Sequence, residues 1–169
     1  MRTIVVGLGN DLLADDARWQ PRAAAFADRL REFGTFLAAA PLRLDSEQKP
    51  PAATLRKKVV YHDPCHLRHR PEFISAPRAL LGNLPWLELR ETPNGPKCCG
   101  FGGLFNPAHP DLSRRIAERA VEDILAVNPD LVTTTCTGCL IQLRQHLGQA
   151  DRRIRVLHLA QLLTEKPER

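Results

Sequence analysis

The sequence predicts an α/β fold, a layered structure with a mainly parallel sheet flanked by helices. Short β-branched runs alternate along the chain with stretches of helical apolar spacing, the order that produces parallel strands joined by crossover helices. Cys65 and Cys136 each follow such a strand and begin a helix, which puts both at the carboxyl edge of the sheet, where open parallel sheets gather ligands. The 169 residues suit one domain with enough interior for a proper core.

Taken in order, Thr3 to Val6 reads as a strand running into Gly7-Leu8-Gly9-Asn10. Leu12 stands where a dinucleotide fingerprint needs its third glycine, so nucleotide binding is not expected there. From Pro21 to about Ala39, Phe26, Leu30, Phe33 and Leu37 recur at helical steps and predict one helix with its stripe packed on its own domain. Pro41 and the stretch from Asp45 to Ala53 read as a linker. Lys58 to Tyr61 is a strand. His62-Asp63-Pro64-Cys65 then opens a helix, with Asp63 as its cap, Pro64 at the first helical position and Cys65 where the macrodipole favours a thiolate. His62, His66 and His69 crowd this segment and are expected beside the site or at the surface rather than as ligands.

Ser75 opens a short helix ending at Gly82-Asn83, Trp86 to Leu89 is a strand, and Thr92 to Lys97 is a turn. Pro110 and Asp111 open the clearest helix, to about Val127, with Leu112, Ile116, Ala120, Ile124 and Val127 as its stripe and Asn128-Pro129 as its stop. Leu131 to Thr134 is a strand. Thr135 caps the next helix, which carries Cys136 and Cys139 and ends near Gly148. Ile154 to Leu157 is the last strand and Leu159 to Leu163 a closing helix.

The formal net charge is +5, and five ligating thiolates would cancel it. Arginine is spread along the chain without a basic block, which gives nucleic-acid binding little support. No apolar run approaches the roughly 18 residues of a membrane span. The first residues lack the apolar length of a signal peptide, so the expected location is the cytoplasm, whose reducing conditions suit thiols reserved for metal.

The chemistry of the chain lies in its five cysteines: Cys65, the doublet Cys98-Cys99, and the turn Cys136-Thr137-Gly138-Cys139. An odd number argues against a closed disulfide framework. A structural zinc takes four ligands and leaves a fifth thiol without a place, whereas polynuclear iron–sulfur centres share larger sets of sulfurs. Iron–sulfur is the first choice and zinc the second; a redox dithiol at the C-x-x-C turn ranks below both. Gly100, Gly102 and Gly103 either make a tight turn or let backbone N–H groups approach sulfur. Phe101, Leu104 and Phe105 are expected to keep water from the site.

The stretches Tyr61-His62-Asp63-Pro64-Cys65-His66-Leu67, Cys98-Cys99-Gly100-Phe101-Gly102-Gly103-Leu104-Phe105 and Cys136-Thr137-Gly138-Cys139-Leu140-Ile141-Gln142-Leu143 resemble, in order and spacing, the cysteine-rich CCG domain. That family includes the iron–sulfur subunit of glycolate oxidase, a related lactate-utilisation subunit and a cysteine-rich subunit of heterodisulfide reductase. The resemblance implies a [4Fe-4S] cluster, non-cubane in the best-understood relatives, held by Cys65, Cys98, Cys99, Cys136 and Cys139 with Gly100, Gly102 and Gly103 lining it; other members bind zinc.

It further implies an electron-transfer role in 2-hydroxy-acid oxidation. The partners would be a flavin-containing oxidoreductase subunit and a ferredoxin-like or first CCG-domain subunit, which could hold the chain at the inner face of the membrane. A zinc-bound docking module and a heterodisulfide reductase-like catalytic subunit are the alternatives. Residues 1–52 resemble the family's inter-domain segment and residues 53–169 its second CCG domain.

Overall fold

The structure is a computed structural model and describes residues 17–29, 31–40, 56–151 and 153–165. The expected strand from Thr3, the linker from Asp45 and the side chain of Leu30 lie outside the described residues. The elements are α1 (Gln20–Ala27), α2 (Phe33–Ala39), β1 (Lys57–Tyr61), α3 (Pro71–Gly82), β2 (Leu87–Arg90), α4 (Phe105–Ala108), α5 (Pro110–Leu125), β3 (Leu131–Thr134), α6 (Thr137–Ala150), β4 (Arg155–His158) and α7 (Leu159–Thr164).

The strands form one sheet in the order β2-β1-β3-β4, and every pairing is parallel. The chain steps outward from β1 to β2 and then crosses back over β1 to β3. The strand order therefore reverses between β1 and β3, the position where α/β sheets open a crevice beyond their carboxyl ends.

Alternation along the strands divides the core between the two faces of the sheet. Val59, Tyr61, Leu131 and Leu157 face Leu80 and Leu81 of α3 and Leu159 and Leu162 of α7. Val60, Val132 and Val156 face Val121 and Ile124 of α5 and Leu143 and Leu147 of α6. The second core also contains Cys99 and Cys139, so the sulfur site grows directly out of one helical layer.

The single helix expected from Pro21 to Ala39 is two. The Glu32 carboxylate accepts from the Thr35 N–H at 2.8 Å and caps α2, ending the run of α1 at Asp28. Phe33 and Leu37 pack on the first core, but Phe26 and Phe36 are exposed. Gly34 lies so close to α3 that a Cβ there would meet the Pro77 ring at 2.9 Å.

The helix expected from Ser75 begins at Pro71, which takes the first helical position. In α5 the buried face is Ser113, Ala117, Ala120, Val121 and Ile124, one step round from the expected stripe, and Leu112 is exposed. Small side chains win that face because the turn after the cysteine doublet presses on it: a Cβ at Gly100 would stand 2.4 Å from the Ser113 carbonyl oxygen.

Leu143 is fully buried between α6 and the sheet, whereas Leu104 is 86% exposed. Leu143→Ala is expected to lower stability by about 2–5 kcal/mol. Leu104→Ala should change it by less than about 0.5 kcal/mol, both read from urea denaturation curves.

Candidate metal centre

Three segments deliver the sulfurs, and each is aimed by its backbone. After β1, the His62 N–H continues the parallel ladder and donates to the Thr133 carbonyl at 2.8 Å. Pro64 then turns the chain in extended conformation, and Cys65 opens a three-residue 3₁₀ turn to Leu67. The helix expected with Asp63 as cap and Pro64 at its first position does not form, and one 3₁₀ turn carries no appreciable macrodipole.

Asp63 is instead 4% exposed and grips Arg78 of α3 through two hydrogen bonds, Nη1 to Oδ1 at 2.8 Å and Nη2 to Oδ2 at 2.7 Å. Arg78 also donates to Glu91 from Nε at 2.7 Å and lies over the Tyr61 ring at 5.4 Å. These contacts, the Asp63 bonds first, hold its guanidinium firmly charged.

The second segment is the doublet. Gly100, Gly102 and Gly103 all have positive φ, at 83°, 53° and 60°. The bend turns the Gly100 N–H toward the Cys98 sulfur at 3.4 Å and brings the Phe101 N–H to Cys99. Gly102 serves the turn itself: its carbonyl accepts from the Phe105 N–H at 3.1 Å. A buried polar group fixes this bend from below. The Ser113 hydroxyl donates to the Gly100 carbonyl at 2.7 Å and accepts from Gln142 Nε2 at 3.1 Å and Asn106 Nδ2 at 2.8 Å.

The third segment follows β3. Cys136, not Thr135, is the residue at the N-cap of α6. Thr135 is engaged elsewhere, its hydroxyl 3.1 Å from the Tyr61 hydroxyl and its carbonyl 3.0 Å from His158 Nε2. His158 Nδ1 accepts from the Ala160 N–H, which leaves Nε2 as the protonated donor. No closed capping bond forms at Cys136, but the N–H groups of Gly138 and Cys139 lie toward its sulfur. Gly138 must lack a side chain because the Phe101 ring covers it, 2.7 Å from where a Cβ would be. Of the three apolar residues expected to exclude water, Phe101 covers Gly138 of the C-x-x-C turn, whereas Leu104 points to solvent.

The five sulfurs meet in a continuous run. Cys65 lies against Cys98, Cys98 adjoins Cys99, Cys99 and Cys139 are 3.2 Å apart, and Cys139 reaches Cys136. All five are free thiols. The run grades from exposed Cys65 through half-buried Cys98 and Cys136 to buried Cys99 and Cys139.

Contact with the Cys139 thiol pulls Cys99 down to about 4 and Cys136 down to about 5, so both are thiolates at neutral pH. Cys139, hydrogen-bonded to Cys136 and Cys99, keeps its proton and is pushed far up. Burial raises Cys98. The Cys139 sulfur thus sits between buried Cys99 and half-buried Cys136, the place where a shared cation would relieve the crowding of charge.

His62 completes the pocket. It is 6% exposed, and its ligand nitrogen and the sulfurs of Cys99 and Cys139 all lie within 4.8 Å of one another, the compact donor set found among the described residues. Its Nε2 is buried without a hydrogen-bond partner among the described residues, a state that costs about 1–3 kcal/mol if left so. His66 and His69 are exposed. Sequence reasoning placed all three histidines together; strand alternation separates them, because His62 follows Val60 by two residues and so shares its face. The Arg78–Asp63 clamp and the Ser113–Gln142–Asn106 group carried no comparable signal.

A parallel α/β sheet that assembles five free sulfurs beyond the ends of β1 and β3 defines a cysteine-rich protein built to hold a thiolate-bound metal centre. The family model described as CCG, cysteine-rich domain, matches residues 59–144, and the chain belongs to that family. Over 156 residues it is 33% identical to a Bacillus subtilis (strain 168) protein named "Probable glycolate oxidase iron-sulfur subunit", covering 91% of this chain and 34% of that protein. It is also 33% identical over 156 residues to lactate utilization protein A of Shouchella clausii, covering 92% of this chain and 63% of that one. For lactate utilization protein A of a Geobacillus species the identity is 31% over 151 residues, with 89% and 61% covered. The chain therefore spans about a third of the first relative and about three-fifths of the other two.

Arg78→Met strands a buried carboxylate and is expected to cost about 3 kcal/mol in denaturant unfolding, part of which Asp63→Asn should restore in the double variant. In metal-free protein, alkylation of Cys136 should rise with pH through a midpoint near 5 and level off by pH 7, because only the thiolate reacts. Cys98 should still be gaining reactivity above pH 9, as peptide mass spectrometry at each pH would record.

Proposed function

We propose that the chain is an iron–sulfur electron-transfer unit of a 2-hydroxy-acid oxidation system of the glycolate or lactate type. Cys65, Cys98, Cys99, Cys136 and Cys139 hold one [4Fe-4S] cluster of non-cubane form, with Gly100, Gly102 and Gly103 shaping its wall. The observation that carries this reading is the meeting of all five sulfurs in one run. The names of the relatives, an iron–sulfur subunit and lactate utilization proteins, point the same way.

The donor geometry favours a polynuclear centre over zinc. Four thiolates on one zinc at ~2.3 Å lie within roughly 4 Å of one another. Among the described residues the compact donor set within 4.8 Å contains two cysteines, and the sulfurs of Cys65, Cys98 and Cys136 fall outside it. Sulfurs spread in that way suit several irons sharing them.

Bound there, an iron–sulfur centre supplies reversible one-electron transfer. The chain's own residues hold the sulfurs in place, turn the N–H groups of Gly100 and Phe101 toward them and cover the C-x-x-C turn with Phe101. Exposed Cys65 marks the side of the pocket open to a partner. The electrons come from a flavin-containing subunit acting on the 2-hydroxy acid, and a ferredoxin-like or first CCG-domain subunit completes the assembly. Among the described residues no helix is long and apolar enough to cross a membrane, and the proposed setting is the cytoplasm, with any membrane attachment supplied by partners.

Protein purified without oxygen is expected to be brown, to contain iron and acid-labile sulfide, and to give an iron–sulfur EPR signal after oxidation or reduction. Cys98→Ser and Cys99→Ser should each lose most of that iron. Colourless protein with one zinc per chain, or full iron retention in both variants, would overturn the reading.

A further inference from the structure

Resting on the proposed metal centre, we infer that His62 is a ligand to it, supplying a nitrogen beside the sulfurs of Cys99 and Cys139. Three observations carry this. The residue is only 6% exposed, in a core whose neighbours include Val60, Cys99 and Cys139. Its Nε2 is buried without a hydrogen-bond partner among the described residues, and the imidazole's side-chain hydrogen bond is to the Cys99 sulfur. The three donor atoms form the compact set among the described residues.

The position is also fixed, not incidental. The His62 N–H is held by the Thr133 carbonyl at 2.8 Å, so the residue ends β1 in strand register. Alternation sends its side chain to the face of Val60, and sends the next residue, Asp63, to the opposite side, where Arg78 clamps it. Moving the side chain to the opposite face would require a one-residue slip of that register. An imidazole nitrogen within 4.8 Å of two cysteine sulfurs is a donor of the kind that zinc and iron both accept. The nearby His66 has no such place: it is exposed and lies toward Cys136.

An imidazole nitrogen carries less negative charge than a thiolate, so a centre that includes one has a higher reduction potential than a centre bound by the same number of thiolates. The assignment therefore distinguishes one corner of the centre, at Cys99, Cys139 and His62, from the sulfur-only remainder at Cys65, Cys98 and Cys136.

The test uses the full chain purified anaerobically after growth with ¹⁵N-histidine, with iron and sulfide measured in every sample. Pulsed EPR of the paramagnetic cluster is expected to show a coupling to histidine nitrogen. That coupling should vanish in His62→Phe and persist in His66→Phe. Should His62→Phe not load, His62→Cys offers a sulfur at the same place and is expected to load and to lack the coupling. A loaded wild-type cluster without histidine coupling, or a coupling that survives in a loaded His62 variant, overturns the inference and leaves the iron–sulfur reading standing. If the wild-type protein holds zinc without iron or sulfide, the iron–sulfur reading fails and zinc-edge X-ray absorption decides this inference. A nitrogen neighbour that disappears on changing His62 upholds it, and a sulfur-only shell overturns it.

Discussion

Where β1 lies beside β3, Val59 pairs with Leu131, Val60 with Val132 and Tyr61 with Thr133, and the His62 N–H extends the ladder by one bond. Every feature of the sulfur pocket depends on that register. Cys65 leaves the sheet four residues after Tyr61 and Cys136 three residues after Thr133, so parallel pairing brings two distant segments to one edge. A slip by one residue would exchange the faces of His62 and Asp63, removing the imidazole from the pocket and the carboxylate from Arg78. The chain crosses over β1 between β2 and β3, and the doublet arrives on that crossover, between the two strand ends.

The pocket so formed is electrostatically demanding. Two thiolates, Cys99 and Cys136, flank one proton on Cys139, and Cys99 and Cys139 are buried with apolar neighbours. Single N–H dipoles face the sulfurs: that of Gly100 faces Cys98, that of Phe101 faces Cys99, and those of Gly138 and Cys139 at the head of α6 face Cys136. In a low-dielectric setting such partial charges soften the concentration of negative charge without neutralising it. A fold that accepts this arrangement is suited to a cation that the sulfurs share, since binding one replaces repulsion with coordination.

Around the sulfurs, two polar groups keep loop geometry from relaxing. On one face of the sheet Arg78 joins Asp63, Glu91 and the Tyr61 ring, and the Tyr61 hydroxyl meets Thr135, so the residues preceding Cys65 and Cys136 are tied together. On the other face Ser113, Gln142 and Asn106 bind one another and the Gly100 carbonyl. Buried ion pairs and hydrogen bonds of this kind add little net stability compared with apolar packing. Their consequence here is position, because each reaches a residue within two of a cysteine.

The alternation of strands and helices, the parallel sheet and the placement of Cys65 and Cys136 beyond strand ends were all legible in the sequence, since they rest on local periodicity and short-range chain direction. So were the special glycines, because a bend at the doublet demands positive φ. The sequence misled where a local signal had a distant competitor. Asp63 looks like a cap, yet a half-buried guanidinium from α3 claims it; Thr135 looks like a cap, yet Tyr61 and His158 occupy it. The stripe of α5 shifted because Gly100 must press against a small-residue face. What residue order by itself determined was which atoms could bind a metal and which side of the sheet they belong to. Which histidine joins them, which thiol keeps the proton and which apolar side chain covers them were decided only when segments far apart in the chain came into contact, because burial and Coulomb interaction depend on separation in space.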